Sequence, residues 1–145
     1  MKTTRMRRGF TLIELLLVMV ILAVLAALVL PKFTGRTEDA NKTAAQTQIS
    51  SLFSTALDLY EADSGQFPTT AQGLQALRLQ PTSAPEPKHW KGPYLKGNVP
   101  LDPWGNEYVY TSPGQQNPKG YDIVCVGPDG RQGSEDDITN WTTTR

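Results

Sequence analysis

The chain has 145 residues, fourteen of them basic and fourteen acidic, with one cysteine (Cys125) and one histidine (His89). That length admits one small domain plus an anchor. The balanced charge projects no net field toward nucleic acid, and the single cysteine excludes an intrachain disulfide.

Four of the basic residues, Lys2, Arg5, Arg7 and Arg8, precede Gly9, so the remainder carries ten basic against fourteen acidic residues. From Leu12 to Leu30 run 19 residues of which only Glu14 is charged. As a helix this run reaches ~28 Å, close to a hydrocarbon core of roughly 30 Å. Only Lys32 and Arg36 follow soon after, so the positive-inside bias places the N-terminus in the cytoplasm and the rest across the membrane. The run is too long for an ordinary secretory signal, and its small-residue stretch continues into Leu28-Val29-Leu30-Pro31.

A carboxylate at mid-membrane costs about 2.5–3.5 kcal/mol on insertion scales; Glu14, nearer the cytoplasmic edge, costs less. It is either a tolerated edge residue or one held for a partner charge. No Lys or Arg lies within the apolar run, so a partner comes from elsewhere. A cut between Gly9 and Phe10 would create an α-amino group one helical turn before Glu14, and contact between neighbouring subunits would neutralise both charges.

Pro31 lacks an N–H for the carbonyl of Ala27 and its ring crowds that carbonyl, so a kink or loosening is expected there, with Gly35 a second weak point. From Thr37 to Asp63 there is neither Gly nor Pro. Ala45, Ile49, Leu52, Phe53, Ala56, Leu59 and Tyr60 recur at helical steps as one apolar face. The simplest element is one long helix from about Thr11 to Ser64, stopped at Gly65. Thr69 with Gln72 fits a capping box opening a short helix through about Leu77. Residues 80–104 hold six prolines and read as an ordered loop or extended segment.

Asp102-Pro103-Trp104-Gly105 has the residues of a type I turn. "NEYVYT" and "YDIVCVG" are the best strands, joined by residues 112–120 as a long hairpin loop. Cys125 reads as a small buried hydrophobe, and Trp90, Trp104 and Trp141 as packing under loops. The fold class is therefore α+β: a long N-terminal helix, spanning and then amphipathic, carrying a small head with short helices and a small antiparallel sheet.

In "VGPDGRQGSEDDITNW", Asp129, Glu135, Asp136 and Asp137 are interleaved with Gly127, Gly130 and Gly133. Glycines let the backbone turn several oxygens toward one point. Without His or Cys beside them, the set favours a hard cation over zinc, and calcium suits a flexible all-oxygen loop better than magnesium. The spacing is not that of an EF-hand. On chemistry alone, a solvated acidic loop remains open.

Two sets of motifs carry a resemblance. "RRGFTLIEL" resembles the leader and N-terminus of type IV pilin-like proteins. "FPTTAQGLQAL", "GPYLKGNVPLDPWGNEYVY" and "GPDGRQGSEDDITNW" resemble the major pseudopilin family of type II secretion systems, so that the likeness runs from residue 8 to residue 141. The resemblance implies a leader, 1–9, removed by a prepilin peptidase that cuts after Gly9 and methylates the amine of Phe10. A hydrophobic transmembrane and assembly helix, 10–34, follows, with Glu14 guiding assembly and Pro31 marking where family helices loosen. The head, 35–145, including the amphipathic helix 37–64, is expected in the periplasm.

The same resemblance implies calcium in the loop. Its ligands are Asp129, Asp136 and Asp137, with main-chain oxygens of Val126 and Ile138 less securely carried over; Glu135 is expected to face solvent. The implied function is a subunit polymerising into the periplasmic pseudopilus and helping to drive folded exoproteins across the outer membrane. The implied partners are further copies of the chain, minor pseudopilins at the tip, the peptidase, and an inner-membrane platform powered by a cytoplasmic ATPase. The proline-rich stretch 80–89 departs from the family pattern.

Two other functions are weaker. A membrane-anchored enzyme would need a base and a substrate pocket beside the aspartates, and His89 in its proline-rich loop supplies neither. An adhesive or DNA-uptake filament subunit is the alternative within filaments, but the chain has no cysteine pair and no excess of basic residues.

Overall fold

A computed structural model describes residues 9–142, with the side chains of 28–35 outside the description. The leader, apart from Gly9, therefore falls outside the described residues. The chain divides into two compact units, Met1–Asp39 and Ala40–Arg145.

The helical backbone begins with α1, Leu12–Thr47. It runs without a break through Pro31 and Gly35, so neither residue ends the helix; the side chain of Pro31 lies outside the description. The expected single α-helix is not uniform. A π-helical segment, Gln48–Phe53, intervenes before α2, Ser54–Ser64. Gly65 closes α2 in the left-handed conformation at φ 77°, its N–H donating to the carbonyl of Glu61 at 2.6 Å. A residue with a Cβ would be strained there.

The apolar face of this helix needs a correction. Ala45, Ile49, Phe53, Ala56, Leu57 and Tyr60 are buried, whereas Leu52 and Leu59, expected on that face, are 42% and 52% exposed. A π turn holds more residues than an α turn. Through it Ile49, Phe53 and Leu57 stack at four-residue steps, and Leu52 and Leu59 rotate to the flank. Leu57 replaces Leu59 in the core.

The head is built on that face. Thr69 and Gln72 form the reciprocal capping box: Thr69 N–H donates to Gln72 Oε1 at 3.0 Å, and Gln72 N–H to Thr69 Oγ1 at 3.3 Å. The helix that follows is shorter than expected. Residues 70–73 are a turn and only Leu74–Leu77 is helical, as a 3-10 segment, because Gly73 takes φ 59° and ψ −169°. The Gln72 amide also donates to the carbonyls of Ser83 and Pro85, tying down the proline-rich loop.

The sheet contains β1 (Val109–Thr111), β2 (Asp122–Cys125) and β3 (Ile138–Thr139), in that order and antiparallel. Tyr110 pairs with Ile123, and Cys125 with Ile138. Phe53 meets Tyr108, the residue before β1, edge-on at 4.8 Å. The Tyr110 hydroxyl donates to the Pro68 carbonyl at 2.8 Å, and burial pushes its pKa up. Trp90 donates its indole N–H to the Ala76 carbonyl at 3.1 Å, and Trp104 packs against the core. His89 is exposed.

Among the described residues, no helix is long and apolar enough to cross a membrane. The run expected to do so, Leu12 to Leu30, extends past Ala27 into side chains outside the description.

Candidate functional site

The N-terminal constellation is exposed. Gly9 and Phe10 precede the helix, and among the described residues nothing stands within 4 Å of a Cβ built at Gly9. The Gly9–Phe10 bond is therefore in non-helical backbone.

Glu14 lies in the first turn of α1. Its carboxylate accepts from the Thr11 N–H at 3.5 Å, while the Glu14 N–H donates to Thr11 Oγ1 at 3.3 Å. This is a second capping box, with Thr11 as the cap, and an acidic group there also suits the positive end of the helix dipole. Glu14 thus has a partner within its own chain, a neutral main-chain N–H in place of Lys or Arg. The signal was present in Thr11-Leu12-Ile13-Glu14, the same template that located Thr69 and Gln72.

The second constellation is the loop between β2 and β3. Gly127, Gly130 and Gly133 all take positive φ. At Gly127 (φ 64°) a Cβ would also lie 2.7 Å from Asp136 Oδ2, so the loop closes tightly over this residue. Asp137 Oδ2 accepts from the Gly133 N–H at 2.7 Å, Asp136 Oδ2 from the Asp129 N–H at 3.4 Å, and Asp129 Oδ1 from the Arg131 N–H at 2.9 Å.

The remaining oxygens converge on Ser134. Its Oγ lies 2.5 Å from Asp136 Oδ1, 3.0 Å from the Arg131 carbonyl, and 3.4 Å from Asp129 Oδ1 and from Asp137 Oδ1. A hydroxyl has one proton to donate, so most of these oxygens face another oxygen without a hydrogen between them. The Ser134 bond is the largest influence on Asp136 and holds its carboxyl below the usual range.

The expected ligands Asp129, Asp136 and Asp137 are thus gathered around one atom, and Glu135 is exposed. Val126 is buried just after β2, and Ile138 opens β3 opposite Cys125. Among the described residues, no group of three or more His, Cys, Asp or Glu is close enough to hold a metal by itself. The atoms gathered around Ser134 Oγ, three carboxylates and the Arg131 carbonyl, are all oxygen, the donor type of a hard cation.

Beneath the loop lies the turn at Asp102, closed by Gly105 N–H to Asp102 O at 3.0 Å. Asn106, read from sequence as part of a strand, belongs to this turn, and its Nδ2 donates to the Gly127 carbonyl at 2.8 Å. Ser134 and Asn106 were missed because neither belongs to the acidic or glycine pattern.

Comparison with known proteins decides the family. The model for type II secretion system protein G matches residues 32–141, and that for the prokaryotic N-terminal methylation motif matches residues 4–30. This chain belongs to the type II secretion system protein G family. Core protein G of Escherichia coli K12 is 46% identical over 142 residues, covering 97% of this chain and 95% of that protein. The Aeromonas hydrophila protein is 47% identical over 138 residues, covering 94% of each. The crystal structure of the major pseudopilin of enterohaemorrhagic E. coli superposes with a TM-score of 0.66 at 40% identity, covering 76% of this chain and 94% of that one. The pseudopilin is a structural subunit of the type II secretion pseudopilus, and the adhesive or DNA-uptake alternative is set aside.

Proposed function

We propose that this pseudopilus subunit waits as a single-pass inner-membrane protein, N-terminus cytoplasmic and head periplasmic, until a prepilin peptidase cuts after Gly9 and methylates Phe10. The large apolar residues from Leu12 to Leu25 support this reading: each is exposed, Val18 the least at 45% and Leu12 the most at 81%. Such a surface needs lipid or neighbouring subunits around it. An ATPase-powered platform then adds the subunit to the fibre, beneath minor pseudopilins, and fibre growth drives exoproteins outward.

Calcium locks the head. The observation that carries this is the convergence of Asp129, Asp136, Asp137 and the Arg131 carbonyl on Ser134 Oγ. A divalent cation supplies positive charge among these oxygens, joined by main-chain oxygens of Val126 and Ile138. The chain's own part is to bring the carboxylates together and hold each by a main-chain N–H.

Fibre assembly in the reconstituted secretion machinery, with calcium or with chelator, tests both halves. The expected product is calcium-dependent fibre whose subunits lack residues 1–9 and carry a methylated Phe10 amine. Equal fibre yield in chelator would remove calcium from assembly; uncut subunits in the fibre would remove the processing step.

A further inference from the structure

We infer that Asn106, held on the Asp102 turn, is a positioning residue that presets the main chain around Val126 for the cation; this rests on the calcium reading above. Val126 lies between two anchors that belong to the same turn. On one side, the Cys125 thiol donates to Asp102 Oδ2 at 3.2 Å. On the other, Asn106 Nδ2 donates to the Gly127 carbonyl at 2.8 Å. The peptide joining Val126 to Gly127, which carries the Val126 carbonyl, is thus bracketed within one residue on each side.

The turn that supplies both anchors is cross-braced around a buried carboxylate. Asp102 is 5% exposed. Its Oδ1 accepts from the N–H groups of Trp104 and Asn106 at 3.0 and 2.8 Å, and its own N–H donates to the Asn106 carbonyl at 2.8 Å. Asn106 also underlies the loop a second time: its Oδ1 would lie 3.4 Å from a Cβ at Gly130. A loop already fixed at its entry has less freedom for the cation to remove, so affinity rises without any direct contact.

Asn106 separates positioning from folding. The two short bonds of the turn at residue 106 are made by its main chain and survive truncation of the side chain; the bond to Gly127 and a long one from Nδ2 to Asp102 Oδ2, at 3.5 Å, do not. A purely structural residue would lower the stability of the head equally with and without calcium and leave the dissociation constant unchanged.

The experiment is calorimetric titration of calcium into the chelator-stripped full chain in detergent micelles, for wild type, Asn106→Ala and Asn106→Ser. Amide exchange of residues 127–131 is followed in chelator, and the serine variant keeps the test open if alanine fails to fold. The expected result is about tenfold weaker calcium binding in the variants with faster exchange of the metal-free loop, while the midpoint in chelator falls less than that in calcium. Unchanged affinity in folded variants, with wild type binding, overturns the positioning role alone. Absence of calcium binding by wild type overturns the calcium reading and this inference with it.

Discussion

The Thr11 N–H donates to the Glu14 carboxylate as the Glu14 N–H donates back to Thr11 Oγ1, at 3.5 and 3.3 Å. A charge in an apolar helix is thereby used locally, to start the helix. Capping and charge pairing between subunits are compatible, but they make different demands on the side chain: a cap needs an acceptor oxygen, a salt link needs a negative charge.

Glu14→Gln separates them. Glutamine keeps the capping box and loses the charge. Cleavage after Gly9 should proceed as in wild type, while fibre yield, read by shearing and immunoblot, should fall at least tenfold. Wild-type fibre yield would leave Glu14 with its capping role alone.

Asp122 should be a stabilising residue independent of calcium. It is 6% exposed, and its carboxylate accepts from the N–H groups of Gln115, Gln116 and Asn117 and from Asn117 Nδ2, at 2.6–3.0 Å. Asp122→Ala leaves these hairpin-loop donors without their acceptor, at a cost of roughly 3 kcal/mol. Urea unfolding should show the same loss in calcium and in chelator.

Cys125 should be chemically silent in the folded chain. Burial, reinforced by the adjacent Asp102 carboxylate, pushes its thiol up to about 12, against about 8.5 when unfolded. Because the folded value is the higher, its contribution to stability is complete below about pH 8.5 and is lost as pH rises through about 12. A thiol reagent at pH 8 should label the native chain far more slowly than the urea-unfolded one; equal rates would contradict the buried Cys125–Asp102 pair.

Local signals were legible where the chemistry is local. The Thr69 and Gln72 box, the Gly65 stop, the turn at Asp102 and the strands flanking residues 112–120 all depend on residues within a few positions of one another. The π turn at Gln48–Phe53 was not legible, because its apolar residues fit an α pattern nearly as well. Only burial of Ile49, Phe53 and Leu57 together in the core distinguishes the two.

The acidic loop was half legible. Charge and glycine spacing marked Asp129, Glu135, Asp136 and Asp137 together, and the resemblance narrowed them to three, whereas Ser134, at their focus, is an ordinary loop residue in sequence. Asn106 lies 21 positions from Gly127, and Asp122 collects main-chain donors whose placement depends on the folded hairpin. Such partners carry no mark of their own in one sequence.

The most direct measurement is thermal unfolding of the full chain in detergent micelles with calcium, magnesium or chelator. Calcium at a hundredfold excess over its dissociation constant should add about 2.7 kcal/mol, a rise on the order of 10 °C for a head of this size. Magnesium should give little of this, and Asp136→Ala none of it. A calcium midpoint equal to that in chelator, or a rise that survives Asp136→Ala, would contradict a calcium-locked head.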